Sequence, residues 1–313
     1  MEKLFDGLQP FLQQVNELIA QFESSGMAST AELARTNLDS LARFVSDVPD
    51  IAFAEDRHIQ AEGRAIPVRV YSPAPQSALP VLIYFHGGGH MAGSVPLYDP
   101  MCRKLALAGH CVVISVEYRL APEHPYPDGL DDCRQAVVNR HQVLQDIGVN
   151  SRLILGGDSA GGSLTSSLTA LSVTDSQLQF DQQVLIYPCV DYTMSFPSMD
   201  SNGRGFLLER SRIAWYFDHY FQQGEDRKSV SPLYASLPRQ IPATLLITAG
   251  FDPLRDEGFA YAAKLRKAGA TVNHLDFPDM IHAFMNVEDL ARDQCRRLYR
   301  TIGEFIKNPP RSS

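Results

Sequence analysis

Cysteines are scarce in this 313-residue sequence, and no two of them form a C-x-x-C pair. The five that occur are an odd number and lie far apart, at Cys102, Cys111, Cys133, Cys189 and Cys295. Such spacing argues against a disulfide framework and against a structural zinc site. We therefore expect reduced, buried thiols in a cytoplasmic protein, and no bound metal.

Long hydrophobic runs and an excess of positive charge are also missing. No stretch approaches the roughly 20 apolar residues that a membrane-spanning helix needs. Residues 1–22 interrupt their apolar positions with Glu2, Lys3, Asp6 and Glu17, so they lack the continuous apolar region of a signal peptide. The net charge of −8 argues against nucleic acid or anionic membranes as partners and favours a small neutral ligand.

Strand-like and helix-like segments alternate along the chain, without internal repeats or low-complexity stretches. Apolar runs that we interpret as buried strands cover residues 81–85, 111–116, 153–155, 183–187, 244–248 and 271–277. Helical patterns cover residues 99–108, 127–147, 163–171, 256–267 and 290–306. Two earlier segments, 52–58 and 65–71, alternate like an antiparallel strand pair. This order predicts an α/β fold with a mostly parallel, doubly wound sheet.

The N-terminal region, residues 1–45, departs from this alternation. It carries apolar side chains at helical spacing, followed by Ser29-x-x-Glu32, which is typical of a capping box that opens a second helix. We interpret the two helices as an accessory layer that covers an apolar surface. Ordinary packing on the core is the alternative interpretation.

A second departure spans residues 190–236, which interrupt the order of the core strands. This region contains an aromatic-rich helix over about 208–221. We predict that it joins the N-terminal helices in a helical cap, and that residues 46–189 and 237–313 form the core beneath it.

The stretch Gly157-Asp158-Ser159-Ala160-Gly161 stands between a predicted strand and a predicted helix. It fits the G-x-S-x-G pattern of a nucleophile elbow, in which a serine occupies a sharp, strained turn at a helix N-terminus. Glycine-rich turns after strands also bind phosphates. No Gly-Lys-Ser/Thr follows, as a P-loop requires, and the mid-chain position does not suit a dinucleotide-binding turn. We therefore predict that Ser159 is a nucleophile.

An activated serine needs a general base, and the histidines that follow Ser159 are the candidates. His219 lies in the predicted aromatic helix, and His274 alternates within the last predicted strand. His282 stands in a loop just past that strand. Because doubly wound sheets build their sites at the carboxyl ends of strands, we predict that His282 is the base.

The base needs an acidic partner, which should end the preceding strand. Asp252 is the first carboxylate after that strand, and Asp256 begins the next helix, where helix capping explains it. We predict Asp252 as the partner, with Asp256 as the alternative. Asp279 is close to His282 in sequence but suits a turn.

The stretch His86-Gly87-Gly88-Gly89 follows a predicted buried strand directly. It matches the HGGG signature whose backbone N–H groups stabilise the oxyanion in lipases and esterases. A merely flexible glycine loop is less consistent with a position at the end of a buried strand.

Together these motifs resemble the bacterial branch of the hormone-sensitive-lipase-like esterases, within the α/β-hydrolase superfamily. The resemblance rests on His86-Gly87-Gly88-Gly89, Tyr118-Arg119-Leu120-Ala121-Pro122-Glu123, Gly157-Asp158-Ser159-Ala160-Gly161-Gly162, Asp252-Pro253-Leu254-Arg255-Asp256-Glu257 and His282-Ala283-Phe284. It implies Ser159 as nucleophile, His282 as base and Asp252 as the residue that orients the base. It also implies an oxyanion hole made by the N–H groups of Gly88, Gly89 and Ala160.

The chain departs from the family at His90, where an aromatic ring is usual, and this residue bears on the pocket wall. We expect His90, Asp158 and Trp215 to contact the substrate. The resemblance further implies a homodimer.

The motifs and the resemblance predict a serine carboxylesterase that hydrolyses short- to medium-chain esters through an acyl-enzyme, with no metal or organic cofactor. An amidase or a deacetylase could use the same residues. A non-catalytic ligand-binding protein with the hydrolase fold, such as a hormone receptor, is a further alternative, although such a protein would be expected to lack one of the reacting side chains.

Overall fold

A single sheet of eight strands runs through the computed structural model, which describes residues 3–309. The first two residues of the predicted 1–45 region and the last four of 237–313 lie outside the described residues. In chain order the strands are β1 (Phe53–Ala61), β2 (Arg64–Ser72), β3 (Leu79–Phe85), β4 (Val112–Val116), β5 (Val149–Asp158), β6 (Gln182–Ile186), β7 (Ala243–Phe251) and β8 (Val272–Ile281).

The spatial order of the strands is β1-β2-β4-β3-β5-β6-β7-β8. β1 pairs with β2, and β2 with β4, in antiparallel fashion, whereas every pair from β4 through β8 is parallel. All residues of β3, β4 and β6 are buried. Helices on both faces cover the sheet, so the prediction of a mostly parallel, doubly wound sheet is confirmed.

The helices are α1 (Gln9–Ser25), α2 (Ala31–Asp39), α3 (Asp99–Gly109), α4 (Asp128–Asn139), α5 (Ala160–Leu171), α6 (Ser198–Ser201), α7 (Arg210–Tyr220), α8 (Arg255–Lys267) and α9 (Arg292–Lys307). Side chains of α1, α3 and α9 share one core cluster, and those of α4 and α5 share another. Leu82 belongs to the first cluster and Ile83 to the second, because successive residues of a strand face opposite sides of the sheet. Within residues 3–309, no helix is both long enough and apolar enough to cross a membrane.

Three boundaries differ from the sequence-based expectation. The cap of α2 is Thr30, not Ser29, because the Thr30 hydroxyl accepts the N–H of Leu33 at 3.1 Å. The helix expected to reach residue 147 ends at Asn139 and continues as a 3-10 turn, since apolar spacing alone does not separate the two kinds of helix. The last strand, expected to end at residue 277, continues through Pro278 to Ile281. An edge strand tolerates proline because one side of the strand has no neighbouring strand that needs the missing N–H.

The N-terminal helices pack into the first core cluster. Leu8, Phe11 and Leu12 are buried there, and the ring of Phe11 meets that of Phe44 edge to face with centroids 5.2 Å apart. For at least one face of α1, this packing supports the alternative of ordinary packing on the core, because that face is part of the first core cluster.

Truncation of Phe11, which is 6% exposed, should therefore destabilise the protein. We expect Phe11→Ala to lower the free energy of unfolding by about 3 kcal/mol, through lost burial and the cavity that remains. Leu18→Ala is the matched control, because Leu18 lies on the same helix but is 61% exposed. It should change stability by less than about 0.5 kcal/mol. Urea unfolding of both variants measures the difference, and equal losses would contradict the account.

Candidate active site

Ser159 lies at the junction of β5 and α5, in the sharp turn that the sequence predicts. Its φ of +54° and ψ of −117° are unfavourable for a residue with a side chain. The surroundings hold this conformation, because the Ser159 N–H donates to the carbonyl of Ile186 at 2.9 Å and its own carbonyl accepts the N–H of Ser163 at 3.0 Å. This turn places the Ser159 hydroxyl at the N-terminus of α5.

Two glycines make this turn sterically feasible. A Cβ on either Gly157 or Gly161 would overlap the backbone carbonyl oxygen of Phe85, the last residue of β3. The elbow can therefore press directly against the end of β3, which is where the HGGG loop begins.

His282 and Asp252 meet Ser159 in one continuous chain of contacts. His282 Nε2 lies 2.9 Å from Ser159 Oγ, and His282 Nδ1 lies 2.7 Å from Asp252 Oδ2. The other Asp252 oxygen accepts the N–H of Leu254 at 2.8 Å. Asp252 and His282 are both buried and follow β7 and β8 directly, as expected for residues at the carboxyl ends of parallel strands.

The alternative acids have other partners. Asp256 accepts the N–H of Ser198 at 2.9 Å and the Nε–H of Arg255 at 2.9 Å. The nearest hydrogen-bonding side chain to the carboxylate of Asp279 is Gln294, at 3.5 Å. Neither carboxylate bonds to His282 in the described structure.

The other histidines also lie in structural contacts. His219 Nδ1 is 2.8 Å from the carbonyl oxygen of Trp215, one turn earlier in α7. His274 Nε2 is 2.9 Å from Thr248 Oγ1, within the sheet.

The loop after β3 presents backbone N–H groups beside Ser159. Gly88 and Gly89 have φ values of +123° and +64°, which favour glycine. The Gly88 carbonyl accepts the N–H groups of Met91 and Ala92 at 3.1 and 2.9 Å and so turns the loop tightly. In residues 3–309, the N–H groups of Gly88, Gly89 and Ala160 donate to no protein acceptor. They are available to an anionic oxygen.

Asp158, which the sequence analysis predicts as a substrate contact, bonds to this loop from inside the protein. It is 1% exposed. One of its oxygens accepts the N–H of Gly87 and the hydroxyl of Tyr84, both at 2.8 Å, and the other accepts the hydroxyl of Tyr98 at 2.9 Å. Burial raises the pKa of Asp158 to about 6, although these three donors favour the charged form.

His90 packs against residues of the 190–236 region. Its ring stacks on Tyr220 of α7, with centroids 3.9 Å apart and planes 2° from parallel. Its Nε2 lies 3.2 Å from the Tyr192 hydroxyl. Burial lowers the pKa of His90 to about 3, so the ring is neutral. The residue fills the place of the usual aromatic ring with an imidazole that stacks in the same way as an aromatic side chain.

Trp215, which the sequence analysis predicts as a substrate contact, lies beside residues of its own helix. Its ring packs on His219 and lies near Arg212, whereas its neighbour Tyr216 covers the glycine loop. A Cβ on Gly89 would overlap the Tyr216 ring. Because Tyr216 and Tyr220 are four residues apart, they share the face of α7 that lies on the loop, a spacing that the sequence displays.

Sequence reasoning missed two further supporting residues. The Tyr187 ring, at the end of β6, lies 4.8 Å from the ring of His282 between centroids. Its position after a parallel strand could have suggested it. Asn202, from the 190–236 region, donates to the carbonyls of Gly250 and Asp252, at 3.1 Å each. No local pattern marks that residue.

In the described part of the chain, no group of three or more His, Cys, Asp or Glu side chains is arranged to hold a metal ion. The site brings together a hydroxyl, an imidazole, a carboxylate and backbone donors, the set that nucleophilic acyl transfer requires.

Comparison with known proteins agrees with this geometry. A family model of the alpha/beta hydrolase fold matches residues 82–286. The chain is 32% identical over 301 residues to the carboxylic ester hydrolase LipN of Mycobacterium tuberculosis. This alignment covers 92% of the chain and 80% of LipN. It is also 32% identical over 301 residues to an ethyl acetate hydrolase of Pseudomonas putida. That alignment covers 91% of the chain and 94% of the hydrolase.

Among solved structures, a hyperthermophilic esterase of Pyrobaculum calidifontis superposes with a TM-score of 0.86 at 32% identity, covering 97% of this chain and 98% of the esterase. The chain belongs to the α/β-hydrolase family, and within it to the hormone-sensitive-lipase-like esterases. The resemblance drawn from the motifs is confirmed.

The raised pKa of Asp158 predicts a pH-dependent stability. The Asp158 carboxyl group binds its proton more tightly in the folded protein than in the unfolded chain. The contribution of Asp158 to the free energy of unfolding therefore falls as pH rises from about 4 to about 6. Asp158→Asn removes that titration. The difference in stability between variant and wild type should shift by about 2 kcal/mol in favour of the variant across this range. Urea unfolding at several pH values measures it, and a constant difference would contradict the account.

Proposed function

We propose that the protein is a serine carboxylesterase. One observation carries the proposal: Ser159 Oγ, His282 and Asp252 form an unbroken hydrogen-bonded chain, next to a loop in which the N–H groups of Gly88 and Gly89 donate to no acceptor among residues 3–309. A ligand-binding protein that had lost its chemistry would not need this arrangement.

In the first half-reaction His282 Nε2 accepts the Ser159 proton while Ser159 Oγ forms a bond to the ester carbonyl carbon. The carbonyl oxygen becomes an oxyanion, which the N–H groups of Gly88, Gly89 and Ala160 stabilise. The buried Asp252 carboxylate holds His282 in the required tautomer and stabilises the imidazolium.

The tetrahedral intermediate collapses when the bond to the leaving alkoxide breaks. His282 donates its proton to that alkoxide, and an alcohol departs, leaving the acyl group on Ser159. Water then enters, gives a proton to His282 and attacks the acyl carbon. A second collapse returns the proton to Ser159 and releases the carboxylic acid. This cycle uses no metal ion or organic cofactor.

The substrate class follows from the cap. We assign residues 1–45 and 190–236 to a cap over the core of 46–189 and 237–313. Its helix α7 lies directly on the glycine loop through Tyr216 and Tyr220, which limits the room beside Ser159. We infer a preference for short- to medium-chain acyl groups, which is consistent with the ethyl acetate hydrolase among the relatives.

We further infer a cytoplasmic location, because the five cysteines are buried and unpaired, as is usual in a reducing compartment.

A homodimer is the assembly that the family resemblance favours. Size-exclusion chromatography with light scattering tests it directly.

A panel of p-nitrophenyl esters tests the activity. We expect turnover of the acetate, butyrate and hexanoate, weak turnover of the palmitate, and much slower cleavage of the matched butyryl p-nitroanilide. Ser159→Ala should lower kcat by about 10⁴–10⁶-fold and leave the circular dichroism spectrum unchanged. Faster cleavage of the anilide than of the ester would favour an amidase, and full activity of Ser159→Ala would refute the proposed nucleophile.

Two matched carboxylates test the orienting role of Asp252. Asp252→Asn should lower kcat by up to about 10⁴-fold, because the amide disfavours the tautomer and the imidazolium that the reaction needs. Asp256→Asn is the control, since Asp256 stands nearby but bonds to Ser198 and Arg255. It should retain most of the activity. The reverse order in kcat/KM would assign the orienting role to Asp256.

A further inference from the structure

Arg35, on α2, reaches from the N-terminal region to the glycine loop. Its Nε–H donates to the carbonyl of Met91 at 3.0 Å, and its Nη2–H donates to the carbonyl of Ala121 at 3.1 Å. The two Nη groups also form a bidentate pair with Glu123, at 2.9 and 2.6 Å. One side chain thus holds two loops that are separate in sequence.

Those two loops are bonded to each other as well. The N–H of Ala121 donates to the carbonyl of His90 at 2.9 Å, so Arg35, residues 90–91 and Ala121 form a closed ring of hydrogen bonds. Met91 is held at both ends, because its N–H donates to the Gly88 carbonyl and its own carbonyl accepts from Arg35. A displacement of Met91 would therefore turn the peptide units of Gly88 and Gly89.

Stability alone does not account for this arrangement. The side chain of Arg35 is 34% exposed and that of Glu123 is 53% exposed. Ion pairs as open to water as this one contribute only about 0–1 kcal/mol to folding. Their fork geometry nevertheless fixes direction well, because a bidentate guanidinium has little freedom to rotate. The Arg35 guanidinium lowers the pKa of Glu123 to about 2, so the pair stays charged at neutral pH.

We propose that Arg35 is a positioning residue for the oxyanion hole, which makes the N-terminal region part of the catalytic apparatus. The proposal rests on the proposed esterase function. Arg35 does not touch the substrate. It acts by holding the Met91 carbonyl, so that the N–H groups of Gly88 and Gly89 point at the place where negative charge develops.

Arg35→Gln tests the proposal, with p-nitrophenyl butyrate as substrate. We expect kcat to fall about tenfold, less than the loss of a whole oxyanion donor, and KM to stay within about twofold. A trifluoromethyl ketone, which forms an oxyanion on Ser159, should bind about tenfold more weakly, whereas a matched amide that stays planar should bind equally well. Arg35→Lys keeps the charge but not the fork, so it should restore only part of kcat.

Glu123→Gln gives a milder second variant. It leaves the donors of Arg35 to Met91 and Ala121 in place and removes only the charged anchor, so kcat should fall less than in Arg35→Gln. An equal or larger fall would show that the ion pair itself, not the hold on Met91, matters for turnover, and would overturn the proposal.

Arg57→Gln is the matched control. Arg57, on β1, also forms a bidentate pair, with Asp146, and donates to a backbone carbonyl, that of Val143, but it contacts no part of the site. This variant should keep the wild-type kcat, whatever its effect on urea unfolding. A similar loss of kcat in Arg57→Gln would mean that general destabilisation explains both variants.

Hydrogen exchange of the Met91 and Ala92 amides gives a readout that does not depend on turnover. Both amides donate to the Gly88 carbonyl, so Arg35→Gln should exchange them about tenfold faster, with the amides of β3 unchanged. Unchanged exchange together with unchanged kcat overturns the proposal, as does a loss confined to KM. A wild-type protein without ester turnover would refute the proposed function, and the exchange data would still decide whether Arg35 holds the loop.

Discussion

The close approach of two backbone segments is the constraint on which the rest of the site depends. The carbonyl of Phe85, at the end of β3, lies where any side chain on Gly157 or Gly161 would stand. This contact forces glycine on both sides of Ser159 and brings the HGGG loop alongside the N-terminus of α5. Ser159 and the HGGG loop are neighbours because β3 and β5 pair in the sheet and because the glycines beside Ser159 carry no side chain that would separate the ends of those strands.

Buried charge, held by fixed donors, completes the arrangement. One Asp252 oxygen accepts a backbone N–H and the other contacts His282, whereas Asp158 accepts the Gly87 N–H and two tyrosine hydroxyls. A buried carboxylate without such partners would be costly and would take up a proton. The two acids therefore have distinct structural settings: Asp252 contacts the imidazole of His282, and Asp158 contacts the HGGG loop.

Much of this site follows from local chemistry and could be predicted from the sequence. Ser159, Asp252 and His282 each stand just after a strand of the parallel sheet, and the glycine patterns predict close approaches of the backbone. The position of Asp158 could not be deduced in this way, because its partners Tyr84 and Tyr98 come from β3 and from the residue before α3, and only the folded chain brings them together. The same holds for the contact of Tyr216 with Gly89, since the composition of a helix does not reveal how it is rotated about its axis.

Element boundaries depended on context in the same way. The last predicted strand ends at residue 277, yet β8 continues through Pro278 because it lies at the edge of the sheet. The predicted boundary at residue 45 does not separate two packing units, since Leu8, Phe11 and Leu12 share a cluster with side chains of α3 and α9. Arg35 adds polar contacts to this packing, because its hydrogen bonds join α2 to the loops that contain Met91 and Ala121.

The central claim is that Ser159 attacks a carbonyl whose oxygen enters the hole formed by Gly88, Gly89 and Ala160. A crystal structure of the protein after reaction with an alkyl phosphonate tests it most directly. The account predicts a covalent bond from phosphorus to Ser159 Oγ, with the phosphoryl oxygen about 2.7–3.1 Å from those three backbone nitrogens. A phosphonate on another residue, or a phosphoryl oxygen turned towards solvent with the three N–H groups still unpaired, would contradict it.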